Sequence, residues 1–265
     1  MTRSLLKVSL LVVFCLFSGT GCLSSPIVLR PEPESPHLPV SEGWTVLQDG
    51  MSVRTYTTAI ASGDIRVYRF EKGKFDWVFR AGDPKTVSQW SESIEGEVAV
   101  ANGVYFHEDF LPSGLLIADG ARVGGRAFDL DKTAVISLGT SPRIIDTSAN
   151  ESFDEGSAKN AGQSYPLLVR DGAPAVREDS GLTARRTAFG VDEGGNAYLL
   201  LAVDEEPTLF QFAQAIHGMD IAWDRVINLD GGPSSGIQSS LDPEGSVDSF
   251  TPVPNVIVAI PHKGT

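Results

Sequence analysis

Cysteine and histidine are scarce in this chain, whose 265 residues include only 2 Cys and 4 His. Two cysteines exclude a disulfide scaffold and a cysteine-rich zinc module. The scattered histidines contain no HExxH pair of the kind that binds zinc. Basic residues are outnumbered, because 21 Lys and Arg stand against 34 Asp and Glu and the net charge is −13. We therefore expect no nucleic-acid partner, since a polyanion needs a basic surface.

Long hydrophobic runs are also missing, apart from a short one near the start. Residues 1–21 combine the basic Arg3 and Lys7 with an apolar run at 10–17 and small residues just before Cys22. This pattern indicates a secretory signal peptide, and its end resembles a bacterial lipoprotein cleavage box, although Gly19 stands where leucine is usual. We expect lipidation at Cys22 and attachment to a membrane of the bacterial cell envelope. A plain secreted protein and a retained anchor are the alternatives.

Proline is concentrated just after the expected cleavage point. Five prolines fall in residues 23–40, and this density favours an extended polyproline-like chain over a packed element. We interpret residues 22–40 as a tether and residues 41–265 as the folded domain. Cleavage would remove two basic residues and change the net charge from −13 to −15. The mature domain would then contain no cysteine beyond the lipidated one, so its core must suffice without a disulfide.

The domain has many strand signals and few helix signals. Its 27 Gly and 16 Pro predict many turns, and alternating apolar residues predict strands through most of residues 44–80. Apolar runs at 187–191 and 197–203 flank a Gly-Gly turn and predict a hairpin. A short helix is predicted over 86–94, and Pro207 is expected to open another that stops at Gly218. The expected fold is a single α+β domain with mixed or antiparallel sheet and two or three helices.

The sharpest local motif follows a predicted strand at residues 226–229. There the sequence Asn-Leu-Asp-Gly-Gly-Pro-Ser-Ser-Gly at 228–236 places a carboxylate before two glycines and two serines. Successive amides in such a turn can bind an anion, and serine hydroxyls add donors. The alternative is an ordinary tight turn closed by a bond from the aspartate to its own backbone. The candidate residues are Asn228, Asp230, Gly231, Gly232, Ser234 and Ser235.

Two further segments end or begin predicted strands. Asn102 ends one strand, and Glu108 lies in the acidic loop that follows. An asparagine there can bind a sugar hydroxyl or orient a carboxylate, although a solvated loop is the simpler interpretation. Arg186 and Thr187 begin another strand, where a guanidinium can bind phosphate through two parallel hydrogen bonds. A surface arginine paired with one of the many acids is the alternative.

A serine-hydrolase interpretation competes for the same turn. Residues 232–236 fit G-x-S-x-G with Ser234 as nucleophile, and Asp242 or Asp248 followed by His262 would complete the order of a triad. However, residues 237–245 are polar and interrupted by Pro243 and Gly245, which disfavours the helix that this motif needs. The upstream chain also lacks alternating strand and helix units. This interpretation is therefore the weaker one.

Taken together, the segments resemble the phosphodiester glycosidase domain family over about residues 95–260. The motifs occur in the family's order: Asn-Gly-x-Tyr-Phe at 102–106, Pro-Ser-Gly at 112–114, Asp-Gly at 119–120, Gln-Ser-Tyr-Pro-Leu-Leu-Val-Arg-Asp-Gly at 163–172, Arg-Thr-Ala-Phe-Gly at 186–190, Asn-Leu-Asp-Gly-Gly-Pro-Ser-Ser at 228–235 and Pro-Asn-Val-Ile-Val at 254–258. One departure is Val104, which stands where the family usually has a second glycine. If that glycine lets substrate approach the backbone, the pocket of this chain is altered.

The resemblance implies hydrolysis between a sugar anomeric carbon and a phosphodiester oxygen. It makes Asp230 the leading catalytic carboxylate and Glu108 a weaker second one, because glycosidases commonly use two. Arg186, Thr187 and the turn from Gly231 to Ser235 would bind phosphate, and Asn102 and Asn228 would position sugar or carboxylate. No cofactor or metal is expected, with a divalent cation kept as an alternative because acids are clustered. The second hypothesis is a non-catalytic envelope protein that binds phosphorylated glycans.

Overall fold

The computed structural model describes residues 43–59, 63–125, 128–202 and 206–263. The predicted signal peptide, Cys22 and the tether lie outside these ranges and stay predictions. In the described part of the chain, no helix combines the length and apolar character that a membrane span requires.

The described residues form seventeen strands and two α-helices. In chain order they are β1 (Thr45–Gln48), β2 (Met51–Thr58), β3 (Gly63–Phe70), β4 (Phe75–Lys85), α1 (Val87–Ser93), β5 (Ala99–Asn102), β6 (Leu116–Ala118), β7 (Ala121–Arg122), β8 (Ala134–Ser137), β9 (Arg143–Asp146), β10 (Ala161–Ser164), β11 (Leu167–Arg170), β12 (Ala173–Pro174), β13 (Arg186–Asp192), β14 (Ala197–Ala202), α2 (Leu209–His217), β15 (Trp223–Asn228), β16 (Ile237–Gln238) and β17 (Val253–Pro261).

The strands make three sheets. The largest has eight strands in the order β1-β2-β3-β14-β13-β15-β11-β12, the second has five in the order β7-β6-β10-β8-β9, and the third has four in the order β16-β5-β17-β4. All the pairings between these described strands are antiparallel. The predicted α+β class is therefore confirmed, and of the two sheet types left open the antiparallel one is found.

A central core forms where the three sheets meet. Phe70 of β3, Trp77 and Phe79 of β4, and Phe189 of β13 are buried in it, and their rings make edge contacts such as Trp77 with Phe189 at a centroid distance of 5.3 Å. Each aromatic side chain buries a large apolar area and gains from the edge-to-face geometry. Because both faces of the central strands are covered, β13 and β14 read as nearly continuous apolar runs.

The two helices cover the outer faces of two sheets. Helix α1 packs Val87 and Trp90 against the four-stranded sheet, and α2 packs Phe212 and Ile216 against the eight-stranded sheet. Both begin with a capping box, in which a threonine hydroxyl accepts from the third helical N–H and a glutamine returns the bond. The prediction of a helix at 86–94 is confirmed, since Thr86 is its N-cap and Ile94 its C-cap.

The start of α2 differs from the prediction. Pro207 does not occupy its first turn; Thr208 is the N-cap, so the proline lies just before the helix. The hairpin predicted around residues 192–196 is confirmed by the pairing of β13 with β14. The structure also contains β9, β10 and β12, which were not predicted because they are short and carry no clear alternation.

Candidate active site

The candidate residues come together because two sheets end at the same place. Strand β5 of the four-stranded sheet ends at Asn102, and strand β15 of the eight-stranded sheet ends at Asn228. Strand β13 runs antiparallel to β15, so its first residue, Arg186, lies beside the end of β15. The chain then bridges the sheets, because the Asp230 N–H donates to the Gly103 carbonyl at 3.1 Å.

Asn102 holds the turn that follows β15. Its Nδ2 donates to the Asp230 carbonyl at 2.7 Å, and its Oδ1 accepts from the Gly236 N–H at 3.1 Å. The two ends of the turn are thus fixed by one fully buried amide. Both polar groups of the Asn102 side chain are used inside the protein, which makes it a residue that positions Asp230 rather than one that contacts sugar directly.

The turn itself is closed by internal hydrogen bonds. Its amides donate at Gly231 to the Asp230 carboxylate, at Gly232 to the Arg185 carbonyl, and at Ser235 to the Gly232 carbonyl, all within 3.1 Å. The residues from Gly232 to Ser234 form a 3-10 turn. Both glycine amides are therefore engaged by the protein in this structure, and the prediction that Gly231 and Gly232 bind a phosphate stays a prediction. The glycines serve the chain path, with Gly232 at a φ of 61°.

Asp230 is the carboxylate at the centre of the site. Burial raises its pKa to about 6, while hydrogen bonds from the Ser234 hydroxyl and the Gly231 amide act in the opposite direction. Burial disfavours the charged form of a carboxylate. A carboxyl group with a pKa near the working pH suits proton transfer, and such values are concentrated at functional sites.

Arg186 supplies a buried positive charge beside the turn. Its Nε donates to the Pro207 carbonyl at 3.1 Å and its Nη2 donates to the Leu182 carbonyl at 2.9 Å. Its Nη1 lies against Gly231, because a Cβ built there would be 3.5 Å from that nitrogen. Burial lowers the pKa of Arg186, and the charges of Tyr105 and Glu206 act in the opposite direction. No acidic side chain of the described residues is within ion-pair distance of the guanidinium. A buried guanidinium without a protein carboxylate is suited to an anionic ligand.

Three other predicted residues carry buried polar atoms without a partner in the described structure. They are the Oγ1 of Thr187, the Oδ1 of Asn228 and the Oγ of Ser235. The Nδ2 of Asn228 donates to the Tyr105 hydroxyl and to the Leu229 carbonyl. An unsatisfied buried polar atom costs free energy, so each of these three atoms requires an explanation.

Glu108 is not brought to these residues. It is exposed on the turn that follows Phe106 and has no hydrogen bond or ion pair with any residue the structure describes. Its charge does not contribute to the raised pKa of Asp230, which burial causes and two hydrogen bonds oppose. The site therefore presents one placed carboxylate, and the proposed pairing of Glu108 with Asp230 receives no support from the geometry.

An aromatic pair with a cation lies beside Asp230 and was missed as functional. The rings of Tyr105 and Tyr165 are 4.7 Å apart, and Lys132 Nζ lies 3.9 Å from the Tyr165 ring centroid. Asp230 raises the pKa of Tyr105, after burial as the larger cause, so the two groups are close. The tyrosines stand inside the recognised motifs, whereas Lys132 belongs to no motif, and only the folded chain brings it there.

Val104 points away from the site. It is buried in the central core, and its Cγ1 would be 3.0 Å from a Cβ built at Gly162. The neighbouring Gly103 is the residue that needs to be glycine, because a Cβ there would lie 1.9 Å from Asn255 Oδ1. The side chain at the position that departs from the family pattern is thus accommodated in the core beside Gly162.

This placement predicts that Val104→Ala destabilises the protein without changing its chemistry. Removing two buried methyl groups should lower the free energy of unfolding by about 1–3 kcal/mol. The measurement is urea unfolding, followed by kcat/KM of the folded variant. A fall in kcat/KM of more than about threefold at unchanged stability would instead place the side chain in the pocket.

The serine-hydrolase interpretation does not fit the geometry. Ser234 is followed by β16 and not by a helix. His262 lies beyond the far end of β17, where its Nδ1 is 2.9 Å from Asp76 Oδ2, and six residues of extended strand, about 20 Å, separate Asn255 from Pro261. Asp242 is taken by an ion pair with Arg66.

A cavity of about 1200 Å³ lies elsewhere among the described residues. It is lined by the start of β4, by the loops on either side of β9 and by Arg225 of β15. Arg225 is neutralised there by Glu151 at 2.6 Å, and none of the predicted site residues borders this cavity. Size alone therefore does not locate the chemistry in this protein.

Among the described residues, no three acidic, histidine or cysteine side chains are grouped as metal ligands would be. The expectation of a site without metal or cofactor stays a prediction.

Comparison with known protein families gives a match over most of the described domain. The phosphodiester glycosidase family matches residues 95–260, which include all the candidate residues described above. No curated protein matches significantly.

Solved structures share the fold at low sequence identity. A hypothetical protein from Synechocystis has a TM-score of 0.58 at 12% identity, covering 81% of this chain and 62% of that one, so this chain spans less than two thirds of its length. The zebrafish N-acetylglucosamine-1-phosphodiester α-N-acetylglucosaminidase catalytic domain, auto-inhibited by its pro-peptide, has a TM-score of 0.56 at 16% identity, covering 88% and 86%. An exported protein from Burkholderia pseudomallei has a TM-score of 0.54 at 10% identity, covering 75% and 74%. These likenesses show the fold alone.

Proposed function

Because the chain belongs to the phosphodiester glycosidase family, we propose that it hydrolyses the bond between a sugar anomeric carbon and a phosphodiester oxygen. The observation that carries the proposal is the combination of Asp230, a partly buried carboxyl group with a pKa of about 6, with Arg186, a buried guanidinium that forms no ion pair with the described residues. Asp230 can accept a proton near the sugar, and Arg186 can neutralise the negative charge of the phosphate.

The reaction needs few groups. Asp230 accepts a proton from a water molecule as the water oxygen bonds to the anomeric carbon. The bond from that carbon to the phosphate oxygen breaks, and its electron pair leaves with the phosphomonoester. Phosphate is a good leaving group, so Arg186 stabilises the charge that it gains, and a second carboxylate acting as general acid is unnecessary. This accounts for a site in which Glu108 is not close to Asp230.

The aromatic pair supports the sugar side of the proposal. The face of a sugar ring is apolar enough to stack on aromatic side chains, and Tyr105 and Tyr165 stand beside Asp230 with Lys132 over the second ring. The unpaired polar atoms of Thr187, Asn228 and Ser235 are available to hydroxyls or phosphate oxygens. The name of the zebrafish relative makes an N-acetylglucosamine-1-phosphodiester the first substrate to test.

The test identifies the bond that breaks. The protein is incubated with a methyl phosphodiester of N-acetylglucosamine-1-phosphate in water enriched in ¹⁸O. We expect the label in the sugar hydroxyl and none in the phosphate, because attack occurs at carbon. Label in the phosphate would show a phosphodiesterase and contradict the proposal. A glucose-1-phosphodiester run in parallel reports whether the sugar itself is selected.

One observation favours the binding-protein alternative, namely the single placed carboxylate. The binding-protein alternative predicts saturable binding of sugar phosphodiesters with no turnover, and calorimetry on the same compounds measures this binding. Turnover that is lost on changing Asp230 would exclude it.

A further inference from the structure

Two large apolar side chains stand exposed next to the elements that surround Asp230. Leu182 is 72% exposed and Phe250 is 75% exposed. The Leu182 carbonyl accepts the hydrogen bond from Arg186 Nη2 at 2.9 Å, and the Phe250 N–H donates to the Pro233 carbonyl at 2.8 Å. These hydrogen bonds attach the segment of Leu182 to Arg186 and the segment of Phe250 to the turn.

The backbone fixes both residues in these exposed positions. The segment after Leu182 is held to the start of α2 by a bridge between Thr183 and Thr208. The Phe250 ring lies 4.2 Å from the guanidinium carbon of Arg185, the residue whose carbonyl accepts from the turn. Exposure of an apolar side chain forgoes the free energy of burial. Both side chains belong to segments bonded to the same turn, because the Gly232 N–H donates to the Arg185 carbonyl at 2.8 Å and the Phe250 N–H donates to the Pro233 carbonyl. Such exposed apolar residues mark binding surfaces when they are grouped.

We propose that Leu182 and Phe250 bind the alcohol side of the substrate, so that the enzyme acts on sugar-1-phosphodiesters whose second ester arm is a hydrocarbon chain. This inference rests on the proposed function. A phosphodiester has two arms, and the sugar arm must meet Asp230 on the side of Tyr105. With phosphate at Arg186, the other arm leaves over the segments that carry the two exposed side chains.

Charge argues for a hydrocarbon arm of the substrate rather than for a membrane surface. The chain has a net charge of −13, and anionic lipid headgroups repel a protein of that sign. A substrate with a single apolar chain is not repelled in this way, because its one phosphate charge is neutralised locally by Arg186.

The experiment compares two substrates that differ only in the alcohol. The full chain is assayed on the methyl and the octyl phosphodiesters of N-acetylglucosamine-1-phosphate, both below the micelle concentration. We expect the octyl ester to have a kcat/KM about tenfold higher, because its chain is removed from water against two apolar side chains. The double variant L182S/F250S should lose this preference and keep the methyl rate. Val46→Ser is the matched control, since Val46 is 74% exposed at the edge strand β1.

Every other outcome contradicts either this inference or the proposed function. Equal rates on the two esters in the unmodified protein overturn the inference and leave the proposed function standing. If neither ester is hydrolysed, the proposed function is wrong, and equilibrium binding then decides the inference, because equal affinity for the two esters overturns it. Binding to vesicles of neutral lipid without any sugar phosphodiester, lost in L182S/F250S, would assign the surface to a membrane and also overturn it.

Discussion

Asp230→Asn is expected to lower kcat by about a thousandfold or more, because Asp230 is the group that the described residues place to accept the proton of the attacking water. Loss of a positioned general base costs about 10²–10⁴ in rate. The fold should survive, since an amide oxygen can accept the same bonds from Gly231 and Ser234. The measurement is product release at saturating substrate. Glu108→Gln is the matched control, and we expect it to retain nearly full activity.

The same substitution should raise stability near neutral pH. The native pKa of Asp230 is about 6 and its ordinary value is 3.8, so the folded state binds more protons than the unfolded state between about pH 4 and pH 6. Stability therefore falls as pH rises through that window, and above it burial of the charge costs about 3 kcal/mol. Asn carries no such charge. In thermal unfolding, the melting temperature of the variant relative to that of the unmodified protein should increase from pH 4 to pH 7.

The pH dependence of the unmodified enzyme checks the assignment independently. A base must be ionised in the free enzyme, so kcat/KM should rise with pH and level off above about 6. A profile that falls above that value would make Asp230 the proton donor. Full activity in Asp230→Asn would remove it from the chemistry altogether.

Local sequence patterns predicted most of the fold because its elements begin and end with strong local signals. Thr86 and Gln89 make a capping box that can be read from the sequence, and the Gly-Gly turn before β14 fixes a hairpin. Strands such as β10 and β12 escaped prediction because residues distant in sequence determine them. Gly162 of β10, for example, is required by the approach of Phe79 and Val104.

The part of the site that the sequence predicted consists of residues at the ends of predicted strands. Asn102, Arg186 and Asn228 were recognised because each ends or begins a buried strand. Antiparallel pairing of β13 with β15 places Arg186 beside the end of β15, and the bond from the Asp230 N–H to the Gly103 carbonyl joins this end to the sheet of Asn102. The availability of the turn's amides could not be predicted, because it depends on acceptors such as the Arg185 carbonyl that are distant in sequence. Lys132 could not be found either, since its contact with Tyr165 exists only after folding.

Arg186→Gln should lower kcat/KM for phosphodiesters by about ten- to a hundredfold. A charge-assisted hydrogen bond contributes about 1.5–3 kcal/mol, and each 1.36 kcal/mol is a factor of ten in rate. The acidic net charge of the chain gives no long-range attraction to an anion, so this one guanidinium carries the recognition of phosphate. The fall should appear mainly in kcat if the charge gained by the leaving group is what Arg186 stabilises.

The substrate itself provides the decisive control for Arg186. A glycosyl fluoride of the same sugar lacks phosphate, so the variant should hydrolyse it at the rate of the unmodified enzyme while remaining impaired on the phosphodiester. Arg225→Gln serves as the matched control, because Arg225 is also largely buried but pairs with Glu151 away from the site. Equal losses on both substrates would mean that Arg186 only holds the Leu182 and Pro207 carbonyls in place. In that case phosphate recognition would have to come from Lys132, the other cation beside the aromatic pair.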